Sequence, residues 1–453
     1  MAEAVRHDKT ARQLRLLSDA LDSGRLGPVR RLVNTLSPAE IGNLLESLPP
    51  GKRTVVWGLV DPEDDGEVLV HVGDEVREGL IADMDQDELV AAVEDLDIDD
   101  LADLVEDLPD TVIDEVLKSM DRENRERLEQ VLSYAEDSAG RLMNPDVVTV
   151  RADATVDVVL RYLRLRGELP EHTDHLYVVN RRHQLIGWVA LQSLVTCDTH
   201  TPINALIDGE LTALNVDAPA EQVARQFSDH DWISAPVVDE NNVLLGRVTI
   251  DDVVDIIRDQ AEHQALGAAG LDEDEDLFSP VWRAMRRRLI WLSINLCTAF
   301  LAASVVGQFE GTIDKLVALA VLMPIVAGMG GNAGTQVLAL MIRGLALGQV
   351  GASNIQALLW KEVRVALLNG VMLGTILGLI VLAWFHNIGL SLVIAFALTC
   401  NLLLAAIAGV LVPVTIKRFG FDPALGSGIF LTTVTDVMGF FTFLGLASVV
   451  LMQ

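Results

Sequence analysis

The rhythm of apolar and polar positions changes twice along the 453 residues. Up to about residue 136, apolar side chains recur at helical spacing in short bursts. Ile41, Leu44, Leu45 and Leu48 form one burst, stopped by Pro49 and Pro50. Ser37-Pro38-Ala39-Glu40 ahead of it has the pattern of a capping box with proline at the first helical position. A similar unit closes with Leu104, Val105, Leu108 and Pro109, which predicts short helices stacked as hairpins. From 137 to 262 the pattern becomes strand-like and repeats. Tyr177-Val178-Val179-Asn180 with Leu185-Ile186-Gly187-Trp188-Val189 returns, 59 residues on, as Pro236-Val237-Val238-Asp239 with Leu244-Leu245-Gly246-Arg247-Val248. Each copy predicts a β-hairpin with a polar turn (180–184 and 239–243), preceded by a helix (157–165 and 221–228) and followed by another. From 252 a helix is expected to run out of the second copy into the acidic linker Asp272-Glu273-Asp274-Glu275-Asp276. Beyond it come five nearly uncharged runs, 289–307, 316–342, 365–385, 390–416 and 426–452, each of a length suited to a bilayer core.

The chain is thus expected to be mainly α. A helical region (1–136) precedes a tandem α/β repeat (137–200 and 201–262), a connecting helix with linker (252–285) and five membrane helices (286–453). Charge separates these parts. Of 34 basic and 65 acidic residues, 10 and 5 lie from Pro280 onward, which leaves 24 and 60, a net of about −36, before it. Such a surface repels nucleic acid. Between 61 and 136 there are 28 acids against 5 bases; most solubilise the surface, but Asp97, Asp99, Asp100 and Asp103 set carboxylates one turn apart, where they repel unless cations neutralise them. Cys197, Cys297 and Cys400 show no disulfide or zinc spacing, which fits a reducing compartment for the soluble part, and the charged first 30 residues predict no cleavable signal peptide.

Basic flanks orient the spans. Arg283, Arg286, Arg287 and Arg288 precede the first; Arg343, Lys361 and Arg364 lie between the second and third; Lys417 and Arg418 lie between the fourth and fifth. The remaining loops carry only Lys315. The positive-inside rule then predicts a cytoplasmic N-terminus and an outside C-terminus.

Two spans carry chemistry. The second contains Pro324 and Gly328, Gly330, Gly331 and Gly334 beside Asn332, Thr335 and Gln336, a composition that predicts either a helix break lining a cavity or close helix packing. The fifth carries Asp436 near its middle, with no Lys or Arg inside any of the apolar runs. A carboxylate there costs about 2.5–3.5 kcal/mol on insertion scales. Protonation, or a hydrogen bond from a neighbouring span, would relieve it, and so would a cation from solution. Five helices are few to enclose a polar path, whereas a two-fold dimer with the fifth span at its axis would appose two Asp436 side chains and favour a divalent ion. Mg²⁺ sheds water reluctantly, so carboxylates would hold it hydrated.

The repeats resemble a tandem pair of CBS domains, ending in Gly246-Arg247-Val248-Thr249 with Asp252. In that family the threonine and aspartate often hold a nucleotide ribose, so the resemblance makes Thr249 and Asp252 a candidate site for ATP; the first copy has Ala190 and Ser193 instead. Pro324 to Gln336 and Asp436-Val437-Met438-Gly439 extend the likeness: nearly the whole chain resembles the MgtE family of magnesium channels and transporters. That resemblance implies a homodimer in a bacterial inner membrane, transporting hydrated Mg²⁺ past Asp436, with Gly328, Gly331, Asn332, Thr335, Gln336 and Asp422 lining or entering the pore. It also implies regulatory Mg²⁺ that bridges Glu67, Asp99 and Asp103 to Glu221, Asp231, Asp252 and Asp255 and closes the pore. Pro219, Gln260, His263 and Gln264 stand where the family usually has acids, and Gly428 where it has Asn, which points to altered gating. A competing reading makes the CBS pair a nucleotide sensor and the spans an anchor. An enzyme is disfavoured, because no phosphate-cradling Gly-rich loop, His/Cys metal spacing or nucleophile elbow occurs. The buried acid likewise disfavours an anion channel.

Overall fold

The computed structural model describes residues 17, 19–94, 96–105, 107–207, 212–267, 269–271, 276–351 and 353–451. They form two compact units, one of residues up to Gln260 with 276–279, the other of 261–271 and everything from Pro280. The acids at 272–275 of the expected linker lie outside the described residues.

The first unit begins with short helices: α1 (Leu26–Val33), α2 (Pro38–Glu46), α3 (Pro50–Trp57), α4 (Asp65–Val70), α5 (Asp74–Asp83), α6 (Gln86–Glu94), α7 (Ile98–Val105), α8 (Asp110–Ser119) and α9 (Arg122–Leu132). The expected capping box is present: the Glu40 amide donates to the Ser37 hydroxyl and the Ser37 amide to the Glu40 carboxylate. Each helix is too short to be stable alone, so packing of one apolar face must hold it. Gly66 shows how tightly they cross, because a Cβ there would lie 2.0 Å from the Ala92 carbonyl oxygen.

The CBS-like pair follows as β1 (Thr149–Arg151), α10 (Val156–Arg166), β2 (His175–Val179), β3 (Leu185–Ala190), α11 (Leu191–Thr196), then β4 (Leu214–Asn215), α12 (Ala220–His230), β5 (Ser234–Val238), β6 (Leu244–Thr249) and α13 (Ile250–Gly267). Both hairpins pair antiparallel, with register shifts at Val178/Val179 and Val237/Val238, 59 residues apart. Asn180 and Asp239 close the turns by accepting from backbone amides two and four residues on. Each sheet also has a short parallel strand, β1 or β4, which the periodicity did not reveal. One apolar core runs from Leu45 and Leu104 through Met143 to Phe227 and Val248, so helical region and second repeat fold on common ground.

The chain returns to this unit at 276–279. Arg53, fixed by donating from Nε to the Leu45 carbonyl at 2.9 Å, also holds Asp276 at 2.8 Å, with both side chains under a tenth exposed. Glu75 accepts from the Ser279 hydroxyl at 2.6 Å and the Asp276 amide at 3.3 Å.

The second unit contains five helices long and apolar enough to cross a membrane: α14 (Val281–Gly307), α16 (Ala318–Ala346), α17 (Ile355–Phe385), α18 (Ile388–Arg418) and α19 (Ser427–Leu451), with the short α15 (Glu310–Lys315) after the first. α18 is the most enclosed. Gly370, Gly374 and Gly378 on α17 let it approach within contact of Thr399, Ala395 and Ser391 on α18, as small residues do in lipid. The break considered at Pro324 is absent: α16 is continuous. Proline removes one amide hydrogen bond and crowds the carbonyl four residues back, yet does not end this helix, and Gly330 and Gly334 serve as flat faces against α18 and α19.

Removing one partner of a buried ion pair strands the other. Asp276→Ala should lower the unfolding free energy of the first unit by about 3 kcal/mol, read from urea denaturation of the full chain; an unchanged midpoint would mean Arg53 is satisfied without it.

Candidate functional site

Carboxylates gather in the first unit where α7 meets the start of α13. The Asn144 amide donates to Asp97 and to Asp99, both at 3.2 Å, and Arg141 donates to the Ala102 carbonyl at 2.6 Å, which seats α7 against the CBS pair. On the other side, Thr249 donates to Asp252 from its hydroxyl at 3.1 Å and its amide at 3.3 Å, and from its hydroxyl to Asp251. Burial first, then the negative charge of Asp252, Asp100 and Asp97, pushes Asp99 well above the usual carboxylate range. Burial, with Asp97, Asp103, Asp251 and Glu67 around it, raises Asp100 to about 7. Burial and Asp251 raise Asp252 to about 8. Arg247, the basic group beside Asp97, donates from its two terminal nitrogens to Thr173 and the Glu171 carbonyl, and its buried Nε has no partner among the described residues.

Of the residues expected to form this site, Glu67, Asp99, Asp103 and Asp252 enter one electrostatic group. Asp255 pairs with Arg258 on its own helix at 3.5 Å. Glu221 and Asp231 sit at the two ends of α12 and are not among the leading groups that set the charge of Asp99, Asp100 or Asp252. Among the described residues no three donors gather at metal-binding distance, so the group is a negative well rather than a closed coordination shell. Asp97, Asp100 and Asp251 extend it beyond the expected set. Sequence reasoning also missed a ring cluster in the CBS pair, in which Trp188 lies 5.3 Å from His175 and 6.4 Å from Trp232. Beside it Asp174 accepts from Ser234 and pairs with His175 at 2.7 Å.

In the membrane unit the acids differ in their partners. Glu362, buried near the start of α17, takes Lys361 at 2.6 Å. Asp422 accepts the Ala424 amide at 2.8 Å and meets the His263 imidazole of α13. Asp436 is half-buried, and no side chain or backbone group among the described residues pairs with it. On α16, Gly328, Asn332, Thr335 and Gln336 lie on an exposed face and Gly331 is half-exposed, whereas Gly330 and Gly334 lie on the packed one. A stripe of two amides and a hydroxyl in an apolar helix has no use against lipid.

Acidic helical region, CBS pair and a five-span domain with an unneutralised acid define a membrane protein of cation transport. The family model described as divalent cation transporter, MgtE, matches residues 323–446; those of the MgtE intracellular N domain and the CBS domain match 36–137 and 139–200 with 203–259. The magnesium transporter MgtE of Enterococcus faecalis is 31% identical over 438 residues, 96% of each chain. That of Bacillus subtilis is 30% identical over 440 residues (94% of this chain, 95% of that one), and that of Thermus thermophilus 31% over 454 (96% and 98%). A crystal structure of the cytosolic domain of the Mg²⁺ channel MgtE in complex with ATP is 32% identical and covers 53% of this chain and 98% of that one, with a TM-score of 0.48. The chain belongs to the MgtE family of magnesium transporters.

A carboxylate whose pKa is raised in the folded state contributes stability that is complete below its unfolded value, about 3.9, and is lost as pH rises through the folded one. In chelator, the melting temperature of the full chain should fall as pH rises from about 4 to about 8. Asp252→Asn should flatten that fall. A melting temperature that climbs over this range would contradict the assignment.

Proposed function

We propose that this protein is a homodimeric Mg²⁺ channel or transporter whose transported ion is held, through water, at Asp436. The observation that carries the reading is the partnerless carboxylate in α19, beside a span whose exposed face bears Asn332, Thr335 and Gln336. Two-fold pairing along that face would turn it toward an aqueous path, with Gly328 and Gly331 leaving width for a hydrated ion. Paired Asp436 carboxylates would draw a divalent ion more strongly than a monovalent one. The basic flanks support a cytoplasmic N-terminus. Asp422, joined to His263, would stand at the cytoplasmic entrance.

Regulation is proposed to use the same cation. Mg²⁺ entering the acidic well would bind oxygen from Asp99, Asp100 and Asp252, with Glu67 and Asp103 adding charge, and would hold the helical region on the CBS pair. Glu221, Asp231 and Asp255 contribute less. Without the ion the carboxylates repel, and the contact loosens. A nucleotide at Thr249 and Asp252 is disfavoured by that geometry, because Asp252 already accepts from Thr249 and faces acids that repel phosphate. The rings of Trp188, Trp232 and His175 offer ATP a better base-stacking surface.

Mg²⁺ uptake into vesicles tests the first reading: Asp436→Ala should lower it by about a hundredfold, twice the roughly 1.4 kcal/mol that a factor of ten represents, and equal uptake by the two proteins would refute it. For regulation, Mg²⁺ should slow proteolysis near residues 261–285 over about the millimolar range of weak carboxylate sites; protection that survives Asp99→Asn with Asp252→Asn would locate the sensor elsewhere.

A further inference from the structure

Asn401 lies in the middle of α18 and is fully buried. Its Nδ2 donates to the Val326 carbonyl of α16 at 2.8 Å, while Oδ1 has no hydrogen-bond partner among the described residues. The carboxamide is pressed between two glycines of different helices: a Cβ on Gly330 of α16 would come 2.2 Å from Nδ2, and one on Gly439 of α19 would come 2.7 Å from it. Three spans therefore meet at one amide. Gly330 is two residues before Asn332 on the exposed stripe, and Gly439 is three residues after Asp436, on the same side of its helix one turn away.

We infer that Asn401 is a positioning residue for the ion path: its carboxamide sets α16 and α19 at the spacing that places Asp436 opposite the polar stripe. The inference rests on the reading of Asp436 as the ion site. Among the described residues nothing hydrogen-bonds to Asp436, so its position is inherited from the placement of α19. One turn from it, Gly439 packs directly against the Asn401 amide, which is itself tied to α16 through Val326. A span needing only a filler would use leucine or alanine, which leave no bare amide oxygen in an apolar interior. At both glycines the nearest atoms a methyl would meet all belong to the Asn401 carboxamide. A hydrated divalent ion is recognised through water at fixed distances, so a shift of α19 should alter which ion passes before it unfolds the bundle.

The experiment compares wild type, Asn401→Ala, Asn401→Ala with Gly439→Ala, and Asp436→Ala in vesicles, with Mg²⁺ uptake, the ratio of Mg²⁺ to Ca²⁺ uptake and melting temperature measured for each. Asn401→Ala should melt within a few degrees of wild type, lose about tenfold in Mg²⁺ uptake and show a lower Mg²⁺/Ca²⁺ ratio. Refilling the space with Gly439→Ala should not restore either reading, because the donor to Val326 is still missing. Wild-type uptake and ratio in Asn401→Ala, or their recovery in the double variant, would overturn the inference. Should Asn401→Ala not accumulate, Asn401→Ser and Asn401→Cys are matched in size but differ in donor strength; a higher Mg²⁺/Ca²⁺ ratio for serine supports the role and equal ratios refute it. Undiminished uptake by Asp436→Ala would instead withdraw the site on which the inference rests.

Discussion

Carboxylates without a basic partner are the constraint to which both units answer. A protein of net charge −31 can hydrate most of its acids, but Asp436 sits half-buried in an apolar span, and Asp99, Asp100 and Asp252 sit half-buried beside one another. Among the described residues no arginine or lysine forms an ion pair with any of these four. Where a pair is wanted it is made: Glu362 has Lys361, and Asp276 has Arg53 inside the first unit. Among the described residues no side chain supplies at Asp436 the chemistry that satisfies Asp276.

The two acid groups differ in what holds them still. The soluble one is braced by neutral donors, with Asn144 on Asp97 and Asp99, and Thr249 on Asp252. Those bonds orient the oxygens without cancelling their charge, so the protonation of the acids bears on the strength of the contact. The membrane one is braced by helix packing alone, through small residues that let α16, α18 and α19 close on one another.

Much of this was readable in the chain. The capping box at Ser37 and Glu40, the 59-residue repeat with its two hairpins and the five spans follow from local periods, which packing reinforces. Strands β1 and β4 were not legible, because two or three residues carry no period. The continuous α16 also escaped, since proline and glycine signal a break only when nothing packs against the small residues. Asp436 stood out as a charge in an apolar run. Asn144 and the Trp188–Trp232 pair could not be found that way, for their meaning comes from partners far along the sequence. Asn401 offered a signal, one amide in a long apolar helix, that only the geometry of Gly330 and Gly439 explains.

The central claim is that two unneutralised carboxylates face each other across a subunit seam. Oxidative cross-linking in native membranes tests it most directly, with Cys197, Cys297 and Cys400 replaced by serine and Asp436→Cys introduced. The account predicts a disulfide-linked dimer from position 436 and none from Val449→Cys, which is largely exposed near the C-terminal end of the same helix. Monomer alone from Asp436→Cys, in protein that reaches the membrane folded, would contradict it.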